Sequence, residues 1–165
     1  MPANQFDVAI VGGGPVGIGL AIDLALRDVR VCVIERFSQP QRIPKGQNLT
    51  QRSGEHFRRW GVSGAIRDAS PIPPEYGNEG LTTYGSLLSG YHYDWFKRAS
   101  VRAYYAADNE RLPQYETERI LRERAARLPN IDFRQGWRFE RLDSTAPEVR
   151  IAIREGDAGS EEVVS

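Results

Sequence analysis

The chain has 165 residues, enough for one domain with a real core, and its 22 basic and 22 acidic residues leave no formal net charge. That balance removes the electrostatic case for nucleic acid or an anionic membrane as a partner. One cysteine excludes an internal disulfide, no segment approaches membrane-spanning length, and no leader-peptide pattern opens the chain, so the expectation is a soluble cytoplasmic protein.

Val8 to Val11 is a short apolar run that reads as a strand buried on both faces of a parallel sheet. It feeds directly into Gly12-Gly13-Gly14-Pro15-Val16-Gly17. Gly12 lets the chain turn sharply out of the strand, Gly14 leaves room for a pyrophosphate to approach the backbone, and Gly17 lets the next helix pack close to the sheet. Pro15 falls in the first helical turn, where its missing N–H would have had no partner. Ile18, Ala21, Ile22, Leu24 and Ala25 recur at helical spacing, which aims a helix N-terminus at the phosphates. Val29 to Ile34 reads as a second buried strand ending at Glu35, where a carboxylate can accept both hydroxyls of an adenosine ribose. The acid would repel a 2′-phosphate, so the pattern predicts FAD or NAD and not NADP. Cys32 lies inside the second strand and reads as a small buried hydrophobe.

Phe37 to Gln47 reads as an ordered loop leaving the nucleotide site. Thr50 is a candidate cap for a helix whose apolar side carries Leu49, Phe57 and Trp60 and which stops at Gly61. Ser70 to Gly80, with Pro71, Pro73 and Pro74, reads as irregular. Leu81 to Phe96 and Val101 to Ala106 predict two or three antiparallel strands, so 70–112 reads as an antiparallel excursion toward a substrate domain. Gln114 to Leu128 predicts a helix burying Thr117, Leu121, Ala125 and Leu128, with Glu118–Arg122 and Glu123–Arg127 as ion pairs on a solvated face. Ile131 to Phe133 should be the third parallel strand. Phe139 to Leu142, Val149 to Ile153 and Glu162 to Val164 then read as a meander, with 156–160 as a turn. His56 and His92 have no companions at metal-ligand spacing. The aromatic band of Tyr84, Tyr91, Tyr93, Trp95, Phe96, Tyr104 and Tyr105 reads first as sheet core and second as the lining of an aromatic pocket.

Three stretches carry a family resemblance: the fingerprint through Glu35-Arg36; Pro44-Lys45-Gly46-Gln47-Asn48-Leu49-Thr50-Gln51-Arg52-Ser53-Gly54-Glu55 with Trp60-Gly61-Val62; and Pro113-Gln114 with Glu118 and Leu121. Together they resemble the FAD-dependent aromatic hydroxylases, single-component flavoprotein monooxygenases related to 4-hydroxybenzoate hydroxylase and phenol hydroxylase. The resemblance implies an α/β fold with a Rossmann-like parallel sheet and FAD as cofactor. It also implies NAD(P)H as transient reductant, O2 as co-substrate and a small aromatic substrate. Carried over by position, Gly12, Gly13, Gly14, Pro15, Val16 and Gly17 would hold the pyrophosphate, with Glu35 on the adenosine ribose and Arg36 against the adenosine. Lys45 would lie near the pyrophosphate or flavin, and Gln114 near the ribityl chain. Lys45 departs from the family's usual arginine and loses its bidentate geometry. Gly54 replaces a larger apolar residue and should weaken its helix by about 1 kcal/mol.

The family's later Asp-Gly and Gly-Asp motifs do not occur in their expected settings, and Gly156-Asp157-Ala158 reads as a hairpin turn. The expectation is therefore that residues 1–165 form the N-terminal part of a FAD-binding domain, inactive in isolation. Two rival readings stand beside the hydroxylase: another FAD- or NAD-dependent oxidoreductase on the same scaffold, or a non-catalytic fragment that holds only an ADP moiety. No catalytic residue and no oligomeric state is selected by these residues.

Overall fold

The structure is a computed structural model that describes residues 4–43, 45–72, 81–94, 98–145, 148–157 and 159–165. The chain divides into two compact units, one made of Met1–Lys45 with Pro113–Ser165 and the other of Gly46–Leu112.

The first unit is built on a parallel sheet of β1 (Val8–Val11), β2 (Val31–Glu35) and β7 (Ile131–Gln135), in the order β1-β2-β7. Helix α1 (Pro15–Ala25) connects β1 to β2, and α5 (Gln114–Ala125) precedes β7 and packs beside α1. The central strand β2 is buried on both faces, as its unbroken apolar run predicts. Val31 and Val33 pack with Ala21 on one face, while Cys32 and Ile34 pack with Ile151, Ile153 and Val164 on the other. Each buried Val or Ile contributes roughly 1.5–3 kcal/mol. The layer on that second face is the antiparallel meander of β8 (Trp137–Thr145), β9 (Glu148–Glu155) and β10 (Glu161–Val164), in the order β10-β9-β8. Gly156, at φ +58°, begins the turn between β9 and β10, so Gly156-Asp157 is turn chemistry as expected.

Some element limits differ from the sequence expectation. β2 starts at Val31 rather than Val29, and α5 ends at Ala125, with Leu128 beyond it in the turn before β7. Asn130 fixes that turn by donating from Nδ2 to the carbonyls of Ala25 and Val29, at 2.8 and 2.9 Å. β1 is half-buried, with Val11 55% exposed, because it flanks β2 rather than lying between two strands.

In the second unit, β3 (Asn48–Leu49) pairs antiparallel with β6 (Glu110–Arg111), so Leu49 precedes the helix instead of belonging to it. Helix α2 (Gln51–Trp60) has the predicted caps: Thr50 Oγ1 accepts from the Ser53 N–H at 3.3 Å, and Gly61 closes the helix at φ +74°. Gly54 corrects the expectation of a merely weakened helix. A Cβ there would lie 2.9 Å from both Ala107 Cβ and the Asp108 carbonyl oxygen, so the close approach of that segment requires glycine. Helix α3 (Ser63–Ala69) has no counterpart in the sequence reading; its short length carries a single buried apolar anchor, Ile66.

The antiparallel hairpin occurs as β4 (Leu81–Thr83) with β5 (His92–Asp94). The strand expected over Val101 to Ala106 does not occur: Arg98–Val101 is a helical turn, α4, and Arg102–Tyr104 a 3-10 turn. Nor is the aromatic band core among the described residues. Tyr84, Tyr91, Tyr93, Tyr104 and Tyr105 are all exposed, because the β4–β5 ribbon makes only one two-stranded face and 102–104 turns away from extended structure. Trp95, Phe96, Pro44, Pro73 and Pro74 lie outside the described residues. His56 stacks on Trp60 with ring centroids 5.4 Å apart, and no metal-ligating cluster occurs among the described residues. Among them, no helix is long and apolar enough to cross a membrane.

Candidate functional site

The glycine turn sits where the β1 backbone must reverse into α1. Gly12 takes φ +111°, a region that side chains disfavour, and its N–H donates to the Ile34 carbonyl at 2.8 Å. The turn is tight from both sides. A Cβ on Gly17 would fall onto the Gly12 carbonyl oxygen, and one on Gly13 would lie 2.7 Å from Glu35 Cβ and 2.8 Å from the Phe133 ring. Gly14 is open, as Gly12 is: nothing lies within 4 Å of where its Cβ would be. It is also the N-cap of α1, with no side-chain cap and no acid in the first helical turn, so the free N–H groups of the helix start beside open space.

Glu35 closes the other side. Its carboxylate accepts from the Gly13 N–H at 2.7 Å through Oε2 and from the Phe37 N–H at 2.8 Å through Oε1. Each carboxylate oxygen has a second lone-pair direction, so the group is oriented by the backbone and still able to accept two ribose hydroxyls. The Arg36 guanidinium lies over the Phe37 ring, 4.6 Å from its centroid.

These residues line one cleft of about 690 Å³ that includes Gly12, Gly14, Glu35, Arg36, Lys45 and Gln114. Six of the ten sequence candidates therefore meet in one place. Gly13, Pro15, Val16 and Gly17 do not line it: Gly13 is pinned behind the turn by Glu35, and the other three form the first turn of α1. Gln114, the first residue of α5, donates from Nε2 to Glu118 Oε1 at 2.8 Å, which turns its side chain along the helix at the cleft wall.

The structure adds Glu118, Arg122, Trp137, Arg138 and Phe139 to the lining. Their positions depend on α5 and β8, distant in sequence, converging on the same cleft as the end of β2, a long-range arrangement with no local sequence signal. Arg122 corrects its reading as a solvated partner of Glu118. The side chain is 11% exposed, Nη1 donates to Gln135 Oε1 at 2.7 Å, and Glu118 Oε2 is 3.8 Å from Nη2. Its burial pulls the guanidinium below its ordinary pKa, and the nearby carboxylates of Glu118 and Glu35 oppose that shift.

The arrangement fits a dinucleotide: open space at Gly14, helix N–H groups beside it, and an oriented acid one strand away. Residues 5–165 match the family described as FAD binding domain. The chain belongs to that family. As an FAD binding domain it is similar to rifampicin monooxygenase of Streptomyces venezuelae, 30% identical over 93% of this chain and 29% of the relative. It is also similar to 3-(3-hydroxy-phenyl)propionate/3-hydroxycinnamic acid hydroxylase 2 of Burkholderia vietnamiensis, 28% identical over 93% of this chain and 27% of the relative. The crystal structure of the flavin-dependent monooxygenase PieE, in complex with FAD and substrate, superposes with a TM-score of 0.84. At 23% identity over 99% of this chain and 29% of that chain, the match establishes the Rossmann-like α/β fold of this FAD binding domain. The chain spans less than a third of the length of these relatives.

Proposed function

We propose that the full protein carrying this chain is an FAD-dependent monooxygenase that hydroxylates a small aromatic substrate with NAD(P)H and O2, and that this chain holds the adenosine and pyrophosphate end of the cofactor. The observation that carries the reading is the pairing of open space at Gly14 with a Glu35 carboxylate already oriented by the turn. In it, the backbone of Gly12 to Gly14 and the start of α1 bind the pyrophosphate, and Glu35 takes the ribose hydroxyls. Arg36 and Lys45 supply positive charge along the cleft, and Gln114 lies toward the ribityl chain. When bound, FAD supplies the redox chemistry, and the residues of this chain bind and orient it. Support for the aromatic substrate comes from the hydroxylase relative, whose name specifies a phenolic acid. Dependence on NAD(P)H, an intracellular reductant, favours the cytoplasm as the working compartment.

The test is NAD(P)H oxidation by the purified full protein with a panel of simple phenols under 18O2. Label in the hydroxylated product is expected. NAD(P)H consumption that proceeds without oxygen, with no labelled product from any phenol, would instead indicate a dehydrogenase or reductase on the same scaffold.

A further inference from the structure

Arg122 is a largely buried cation whose partners, apart from its helix neighbour Glu118, lead to the glycine turn. Its guanidinium carbon is 5.2 Å from the centroid of the Phe133 ring, Nη1 bonds Gln135, and Nε is buried without a hydrogen-bond partner. Phe133 is the ring that a Cβ on Gly13 would strike, and Gln135 pairs with Glu35 in the register of β2 and β7. The Gly13 N–H in turn holds the Glu35 carboxylate. The contacts therefore close on themselves, running from Arg122 through Phe133, Gly13, Glu35 and Gln135 back to Arg122. Both charged members, Arg122 and Glu35, line the same cleft.

A guanidinium that only filled space between α5 and β7 would be a costly choice, since an apolar side chain could pack there without leaving a buried donor unpaired. The geometry points to Arg122 as a positioning residue for the adenosine ribose: by holding Phe133 and Gln135 against Gly13 and Glu35, it fixes the Glu35 carboxylate in the orientation that accepts the ribose hydroxyls. The inference rests on the proposed reading of Glu35 as the ribose acceptor. A residue acting this way alters the selectivity of the site for the 2′-hydroxyl, whereas a packing residue alters affinity for every nucleotide alike.

The experiment titrates the apo form of the full protein with ADP and with 2′-deoxy-ADP, in wild type, Arg122→Met, Arg122→Lys and Glu35→Ala, with thermal unfolding of each apo variant. Wild type should prefer ADP by about tenfold, the size of one hydrogen bond to a charged acceptor. Glu35→Ala should abolish the preference, Arg122→Met should reduce it to about twofold or less, and Arg122→Lys should restore part of it. If Arg122→Met does not fold, Gln135→Ala, at an exposed strand end, should show the same loss of preference. An unchanged tenfold ratio in Arg122→Met, or in Gln135→Ala where that variant is needed, overturns the inference whatever happens to absolute affinity. A wild-type protein with no preference overturns the reading of Glu35 and this inference together.

Discussion

Replacing Gly14 with valine separates what the glycine turn does for binding from what it does for folding. Gly14 lies at φ −76° and ψ −177°, backbone that any residue adopts, and no atom stands within 4 Å of a Cβ there. The cost to the apo fold is then limited to a poorer N-cap, about 1 kcal/mol. The new side chain would nevertheless occupy the space through which a pyrophosphate reaches the helix N–H groups. Loss of that contact should weaken FAD binding by at least about 100-fold, or about 2.7 kcal/mol. Gly17→Ala is the control. Its Cβ would collide with the Gly12 carbonyl oxygen and press on Ile10 Cγ2 at 3.3 Å, so the turn must move. Overpacking of that kind costs about 1–3 kcal/mol or more and should lower apo stability and binding together. Thermal unfolding of the apo protein and fluorescence titration with FAD read the two effects separately. Gly14→Val binding FAD within threefold of wild type, or proving less stable than Gly17→Ala, would show that the pyrophosphate does not approach through an open space at Gly14.

Glu35→Ala removes the acceptor of two backbone N–H groups as well as the ribose acceptor, so denaturant unfolding should show an apo protein less stable by about 2 kcal/mol. Equal stability would mean that those bonds do not orient the carboxylate. Gly54→Ala should destabilise by about 1–3 kcal/mol, although alanine is the better helix former, because its Cβ would meet Ala107 and the Asp108 carbonyl; a rise in Tm would contradict the packing. Burial pushes the Cys32 thiol up from 9.0 to about 12. The thiolate is therefore disfavoured in the fold, and this group's contribution to stability is constant below pH 9 and lost as pH rises from there toward 12. A thiol reagent at pH 8 should label the native protein slowly and one equivalent on unfolding, and rapid native labelling would count against it.

The glycine turn was legible because its demands are local: positive φ at Gly12, contact at Gly17 and openness at Gly14 each follow from the chain's own reversal into α1. The three parallel strands, the meander and the caps of α2 were legible for the same reason, through apolar runs and terminating residues. Where tertiary contact decides, the sequence misled. The aromatic content of 101–106 favours extended structure on propensity, yet the backbone there coils, and Tyr104 is 81% exposed. Gly54 looked like a helix defect because Ala107 and Asp108 are distant in sequence. Arg122 looked solvated because its i,i+4 spacing to Glu118 is that of a surface pair, and only the return of β7 beside α5 shows that it is buried.

Whether this cleft holds the adenosine and pyrophosphate end of FAD is decided by a crystal structure of the full protein grown with FAD. The pyrophosphate should lie over the Gly12–Gly14 backbone at the start of α1, and the ribose hydroxyls within hydrogen-bond distance of Glu35, with its bonds to Gly13 and Phe37 retained. FAD bound away from this cleft, or a pyrophosphate that leaves the space at Gly14 empty, would contradict it.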